Sequence, residues 1–142
     1  SHERIRLLGH REDIADLMCA ADIFAAVSHH EGYGGVLLEA MALQCPIIAS
    51  DADCFLEVLA AGQRGVLTPR GDAKALGTAI SRLASEPSLR TQMALQGLNA
   101  FQDHYEISAV RDQMISLYRL VSRGERVLRS MRDRPGALGN PT

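Results

Sequence analysis

The chain has 142 residues, 46% of them hydrophobic, with three tyrosines, three phenylalanines and no tryptophan, which suits one domain with an aliphatic core. Its formal net charge of −2 supplies no global basic field for nucleic acid. No apolar run reaches membrane-spanning length, and the start SHERIRLLG has no signal-peptide pattern.

In chain order, strand and helix patterns alternate. Residues 4–8 (RIRLL) read as a short strand ending at Gly9. Residues 12–21 place Ile14, Leu17, Met18 and Ala21 at helical spacing. The apolar run at 23–27 fits a strand buried on both faces. A loop, SHHEGYG, leads into a helix expected at 35–43, before Pro46. Residues 46–50 (PIIAS) read as a third strand, 55–61 as a short helix stopped by Gly62, and 65–68 as a fourth strand. From there the chain turns helical. Asp72 can cap a helix with Leu76, Ile80 and Leu83 on one face, and two more helices are expected at 88–101 and 108–121.

This alternation predicts an α/β domain, a Rossmann-like parallel sheet with flanking helices. Four short strands are few for such a sheet, so further strands are expected upstream of Ser1. The nucleotide-binding domain is expected to occupy residues 1–122. Residues 123–142 would form a basic helix and a turn-rich tail. The cysteines, Cys19, Cys45 and Cys54, form neither a CxxC pair nor a zinc spacing, which fits reduced thiols in a cytoplasmic protein.

In parallel α/β sheets, ligands bind outside the carboxyl ends of the strands, where loops enter helix N-termini. The segment IFAAVSHHEGYGGVLLEAMA is such a junction. Gly32, Gly34 and Gly35 permit close backbone approach, and the next helix offers unpaired N–H groups to a phosphate. Glu39 stands one turn into that helix. Its neighbours three and four positions away, Gly35, Val36, Ala42 and Leu43, are all apolar or glycine. A carboxylate in a mostly buried helix requires a partner. Ligand hydroxyls, an arginine, backbone donors or an exposed edge all remain open on pattern alone. His29, His30 and Glu31 are adjacent in sequence, and adjacent residues rarely converge on one ion, so no metal site is expected there.

The stretch SxxEGYGxVLLEAMA, followed by CPIIASD and by EVLxxGxxGVLxPxGDxxALxxAI, resembles the retaining glycosyltransferases of family 4, the glycosyl transferases group 1. The resemblance runs from about Ile5 to about Asn99 and covers the C-terminal, donor-binding half of the two-domain GT-B fold. By that resemblance, Glu31 is the candidate catalytic residue and accepts hydrogen bonds from the donor sugar's hydroxyls. Gly32, Tyr33, Gly34 and Gly35 form the loop facing sugar and diphosphate, with Val36 and Leu37 near the diphosphate. Glu39 accepts from the ribose hydroxyls, a charge-assisted use of a carboxylate. The implied donor is a nucleotide-diphosphate sugar and the implied acceptor a glycan or lipid-linked molecule, handled by an N-terminal domain. No metal or other cofactor is implied.

The family's arginine–lysine pair for the leaving group has no match here, so the chain alone is expected to be inactive. The rival reading is a non-catalytic Rossmann-like nucleotide-binding or interaction module. Two departures stand out: Gln44 where the family usually has glycine, and DADCF in place of a glycine pair before Glu57. Finally, Arg119, Arg123, Arg126 and Arg129 recur at helical spacing of three and four. Such a stripe suits either a solvated helix packing on a further domain or peripheral contact with the inner face of the cell membrane.

Overall fold

The computed structural model describes residues 4–122. Residues 4–103 lie in one compact unit, and from His104 onward the chain belongs to a second. Arg123, Arg126 and Arg129 lie outside the described residues.

The first unit carries three parallel strands, β1 (Phe24–Ala26), β2 (Ile47–Ser50) and β3 (Val66–Thr68), in the order β1-β2-β3. Register pairs Phe24 with Ile47 and Ala26 with Ala49, then Ile48 with Val66 and Ser50 with Thr68. Successive strand residues face opposite sides of a sheet. All four residues of β2 are buried, so this central strand is covered on both faces, as its unbroken apolar run requires.

The helices are α1 (Ile14–Ala20), α2 (Gly35–Ala42), α3 (Asp53–Val58), α4 (Ala73–Ser85) and α5 (Pro87–His104), with a 3-10 turn at Ala60–Gly62. Helix α2 connects β1 to β2 and touches both; α4 packs on β2 and β3. Ile48 is sealed by Ala79 and Leu83 of α4 and Met93 of α5. Gly97 of α5 lies against α2, where a Cβ would stand 3.4 Å from Met41 Cγ. The cap foreseen for α4 is present: Asp72 Oδ1 accepts from the Ala75 N–H at 2.9 Å. In the second unit, α6 (Ile107–Ser122) is a helix carrying Arg119 in its last turn. Among the described residues no helix is long and apolar enough to cross a membrane.

Two expectations are corrected. Residues 4–8 form no strand; Ile5, Leu7 and Leu8 are 70%, 96% and 51% exposed. A strand is held by its ladder partners, and no described strand pairs with this segment. The short helix starts earlier than expected, at Asp53, and ends at Val58 because Ala60 and Ala61 turn to φ +47° and +52°. The stripe on α4 is uneven: Leu83 is fully buried, whereas Ile80 is 40% exposed.

Two local sequence effects shape the entrances to these elements. Asp13 sits at the N-cap of α1 yet makes no side-chain cap bond, because Arg11 takes its carboxylate, with Nε 2.6 Å from Oδ1. After α2 the chain reverses through Gln44 at φ +55°, the left-handed conformation glycine adopts without strain.

Candidate functional site

Three loops leave the carboxyl ends of the three strands together. Ser28 follows β1 closely, Asp51 follows β2, and Pro69-Arg70-Gly71 follows β3. Hydrogen bonds tie these ends. The Ser28 N–H donates to Ser50 Oγ at 2.9 Å, and that hydroxyl donates back to the Ser28 carbonyl at 2.6 Å. Ser50 is only 1% exposed, so this reciprocal pair satisfies a buried hydroxyl. The Asp51 N–H donates to the Thr68 carbonyl at 2.9 Å. Ser28 Oγ donates to the His30 carbonyl at 2.7 Å, curling the loop that carries Glu31.

The loop ends on Gly34 at φ +71°, the N-cap of α2. A Cβ there would lie 3.3 Å from the Phe55 ring, so glycine is needed both for the turn and for contact with α3. The Leu37 N–H donates to the Gly34 carbonyl at 2.9 Å. The N–H groups of the first turn of α2, at Gly35 and Val36, are those left without partners in the helix itself.

A cavity of about 280 Å³ opens over these loop ends, lined by His29, His30, Glu31, Gly32, Asp53 and Arg70. Its mouth mixes three kinds of polar group. Glu31 and Asp53 offer carboxylates, Arg70 a guanidinium and the histidines imidazoles. Beside it, burial pushes the Cys54 thiol up from its ordinary pKa, and the nearby Glu31 charge pushes the same way. Among the described residues no three His, Cys, Asp or Glu side chains converge as a metal site would.

The structure brings Glu31 and Gly32 together in this cavity, while Gly34 and Gly35 form the entrance to α2. Tyr33 is 75% exposed, with its ring against Gly35. Leu37 is fully buried and Val36 half-buried, so Leu37 serves packing with its side chain. Of the alternatives left open for Glu39, the structure shows the exposed edge. Its helix is otherwise buried or half-buried, but Glu39 itself is exposed, and it does not line the cavity that holds Glu31. The buried residues of α2 are Leu37, Ala40 and Met41, and Glu39 lies on the opposite side of the helix at 100° per residue. An apolar flank is not a covered flank: only the sides turned to the sheet, α3 and α5 are sealed. Among the described residues no side chain pairs with the Glu39 carboxylate.

Sequence reasoning missed the roles of Arg70, Asp51 and Ser50 in tying these loops. Ser50 and Asp51 stand in the CPIIASD stretch, but Arg70 lies 19 positions beyond Asp51, and no local pattern shows that their loops meet.

Comparison with known proteins decides the family. Residues 1–86 match the sequence profile described as glycosyl transferases group 1. The chain belongs to the glycosyl transferases group 1 family. This glycosyltransferase chain is 38% identical over 123 residues to the phosphatidyl-myo-inositol mannosyltransferase of Mycobacterium leprae, covering 84% of this chain and 33% of that protein. It is 28% identical over 114 residues to the lipopolysaccharide core biosynthesis glycosyltransferase LpsE of Rhizobium meliloti, covering 80% and 34%. Among solved structures, HepE of Anabaena in complex with UDP superposes with a TM-score of 0.76 at 26% identity, over 82% of this chain and 32% of that one. The α/β fold expected from the sequence, that of one half of a GT-B glycosyltransferase, is the fold these neighbours share. The chain spans about a third of the length of these relatives.

Proposed function

We propose that this glycosyltransferase chain is the donor-binding domain of a retaining enzyme of family 4. It takes a nucleotide-diphosphate sugar and serves transfer of that sugar to a glycan or lipid-linked acceptor. The observation that carries this reading is the placement of EGYGG at the carboxyl ends of parallel strands, opening directly into the helix that bears Glu39. In this reading Glu31, in the cavity, accepts from sugar hydroxyls. The N–H groups at the start of α2 face the diphosphate, where the helix dipole favours negative charge. Glu39 is exposed and without a side-chain partner among the described residues, so its carboxylate is available to a ribose diol.

The chemistry follows from these parts. Departure of a nucleoside diphosphate builds negative charge on the bridging oxygen, and preorganised N–H donors aimed at it lower the barrier. Glu31 would hold the sugar in one orientation against that leaving group. Support comes from the relatives. One is named for mannosyl transfer to phosphatidyl-myo-inositol, another for lipopolysaccharide core biosynthesis, and HepE has been crystallised with UDP-glucose.

The test is nucleotide binding by the 142-residue chain. Titration with UDP and with GDP, followed by amide chemical shifts, is expected to show saturable binding of one of them. Glu39→Ala is expected to abolish it while leaving the circular dichroism unchanged. A well-folded chain with no affinity for either nucleotide would instead favour the non-catalytic module.

A further inference from the structure

Arg70 touches the loops that follow all three strands. Its own loop follows β3. Its backbone N–H donates to Asp51 Oδ1 at 2.9 Å, and its Nε lies 3.3 Å from the same oxygen, in the loop after β2. Its Nη1 donates to the His29 carbonyl at 3.3 Å, in the loop after β1. Its Nη2 stands 3.9 Å from Asp53 Oδ1. The next residue, Gly71, lies against the His29 ring: a Cβ there would be 3.5 Å from Cε1. Arg70 also lines the cavity together with Glu31 and Gly32. Only a guanidinium presents donors in a rigid planar fork that can meet acceptors on separate loops at once; a lysine offers a point charge.

We propose that Arg70 positions the sugar-facing loop at residues 28–34, and so governs the hold on the sugar of a bound nucleotide-sugar but not the hold on its nucleotide. This rests on the donor-binding reading above. The division of labour follows from the geometry. The backbone that Arg70 holds belongs to His29, two residues before Glu31. The start of α2 is set elsewhere, by Gly34 against Phe55. Glu39 lies outside the cavity that Arg70 and Glu31 share. The Arg70 side chain is 38% exposed, so water screens its ion pairs and the fold does not depend on them.

The test compares wild-type chain, Arg70→Ala and Arg70→Lys, titrated with UDP and with UDP-glucose, alongside 15N relaxation of the backbone. In Arg70→Ala, order parameters at residues 29–32 are expected to fall. UDP-glucose affinity should drop about tenfold while UDP affinity changes less than about twofold. Arg70→Lys should fall between the two, since it restores charge beside Asp51 but not the fork. Equal weakening of both ligands, or a loop as ordered as in wild type, overturns the assignment. Wild-type chain that binds neither UDP and UDP-glucose nor GDP and GDP-mannose overturns the donor-binding reading itself, and the assignment of Arg70 to the sugar falls with it; binding of the GDP pair alone moves the same comparison to that pair. Wild-type binding with no UDP-glucose defect in Arg70→Ala overturns the Arg70 assignment alone.

Discussion

At the scale of single residues, backbone handedness leaves a clear signature. Gln44 sits at φ +55° just past α2 and is exposed, so its side chain is not needed for packing. A non-glycine residue in the left-handed region costs about 1–2 kcal/mol, and glycine recovers part of this after its larger unfolded-state entropy. Gln44→Gly is therefore expected to stabilise the chain by about 0.5–1 kcal/mol, read as a higher urea midpoint with an unchanged slope. Gly34 is the opposite case. It has φ +71° and the buried Phe55 ring 3.3 Å from where a Cβ would stand. Gly34→Ala is expected to cost roughly 1–3 kcal/mol, combining backbone strain with a ring that has little room to yield. A Gly34→Ala chain with wild-type stability would show that the loop can reach α2 by another path. The family resemblance flagged both positions, one by glycine's presence and one by its absence. It took the backbone angles to show that both are left-handed.

At the scale of elements, pattern and packing agree except where pattern cannot see coverage. The α4 stripe illustrates this. Leu76, Ile80 and Leu83 share one face by sequence, yet Leu83 is fully buried against Ile48 and Met93 while Ile80 is 40% exposed. Leu83→Ala should therefore cost roughly 2–5 kcal/mol, the transfer term plus a cavity. Ile80→Ala should cost well under half as much, because its side chain already meets water. Equal losses in chemical denaturation would mean that Ile80 is covered in solution. Residues 4–8 show the same limit for strands. The alternation Ile5, Leu7 is a fair strand signal, but a strand needs a neighbour to hydrogen-bond, and pairing is not a local property.

At the scale of the whole molecule, the loops gather at one end of the sheet because all three strands run parallel. That geometry delivers Glu31, Asp53 and Arg70 from three separate segments to one cavity. The proposed leaving-group stabilisation uses helix N–H groups and needs no divalent ion, so nucleotide binding should be indifferent to chelation. Treatment with EDTA is expected to leave the UDP affinity of the chain unchanged. Loss of binding on chelation, restored by magnesium, would mean that the diphosphate is held through a metal.

The sequence by itself determined the class of fold, the order of most elements, the glycine loop and the two glutamates around it. These are local facts: periodicity, turn chemistry and a motif whose residues lie within nine positions of one another. Only the tertiary structure decided that Glu39 is exposed, that it does not line the cavity that holds Glu31, and that Arg70 joins the loops after β1 and β2. Helical spacing tells which residues share a side, but coverage of that side depends on what the rest of the chain brings against it. Arg70 and His29 are 41 positions apart, and only parallel pairing through the central strand sets their loops side by side.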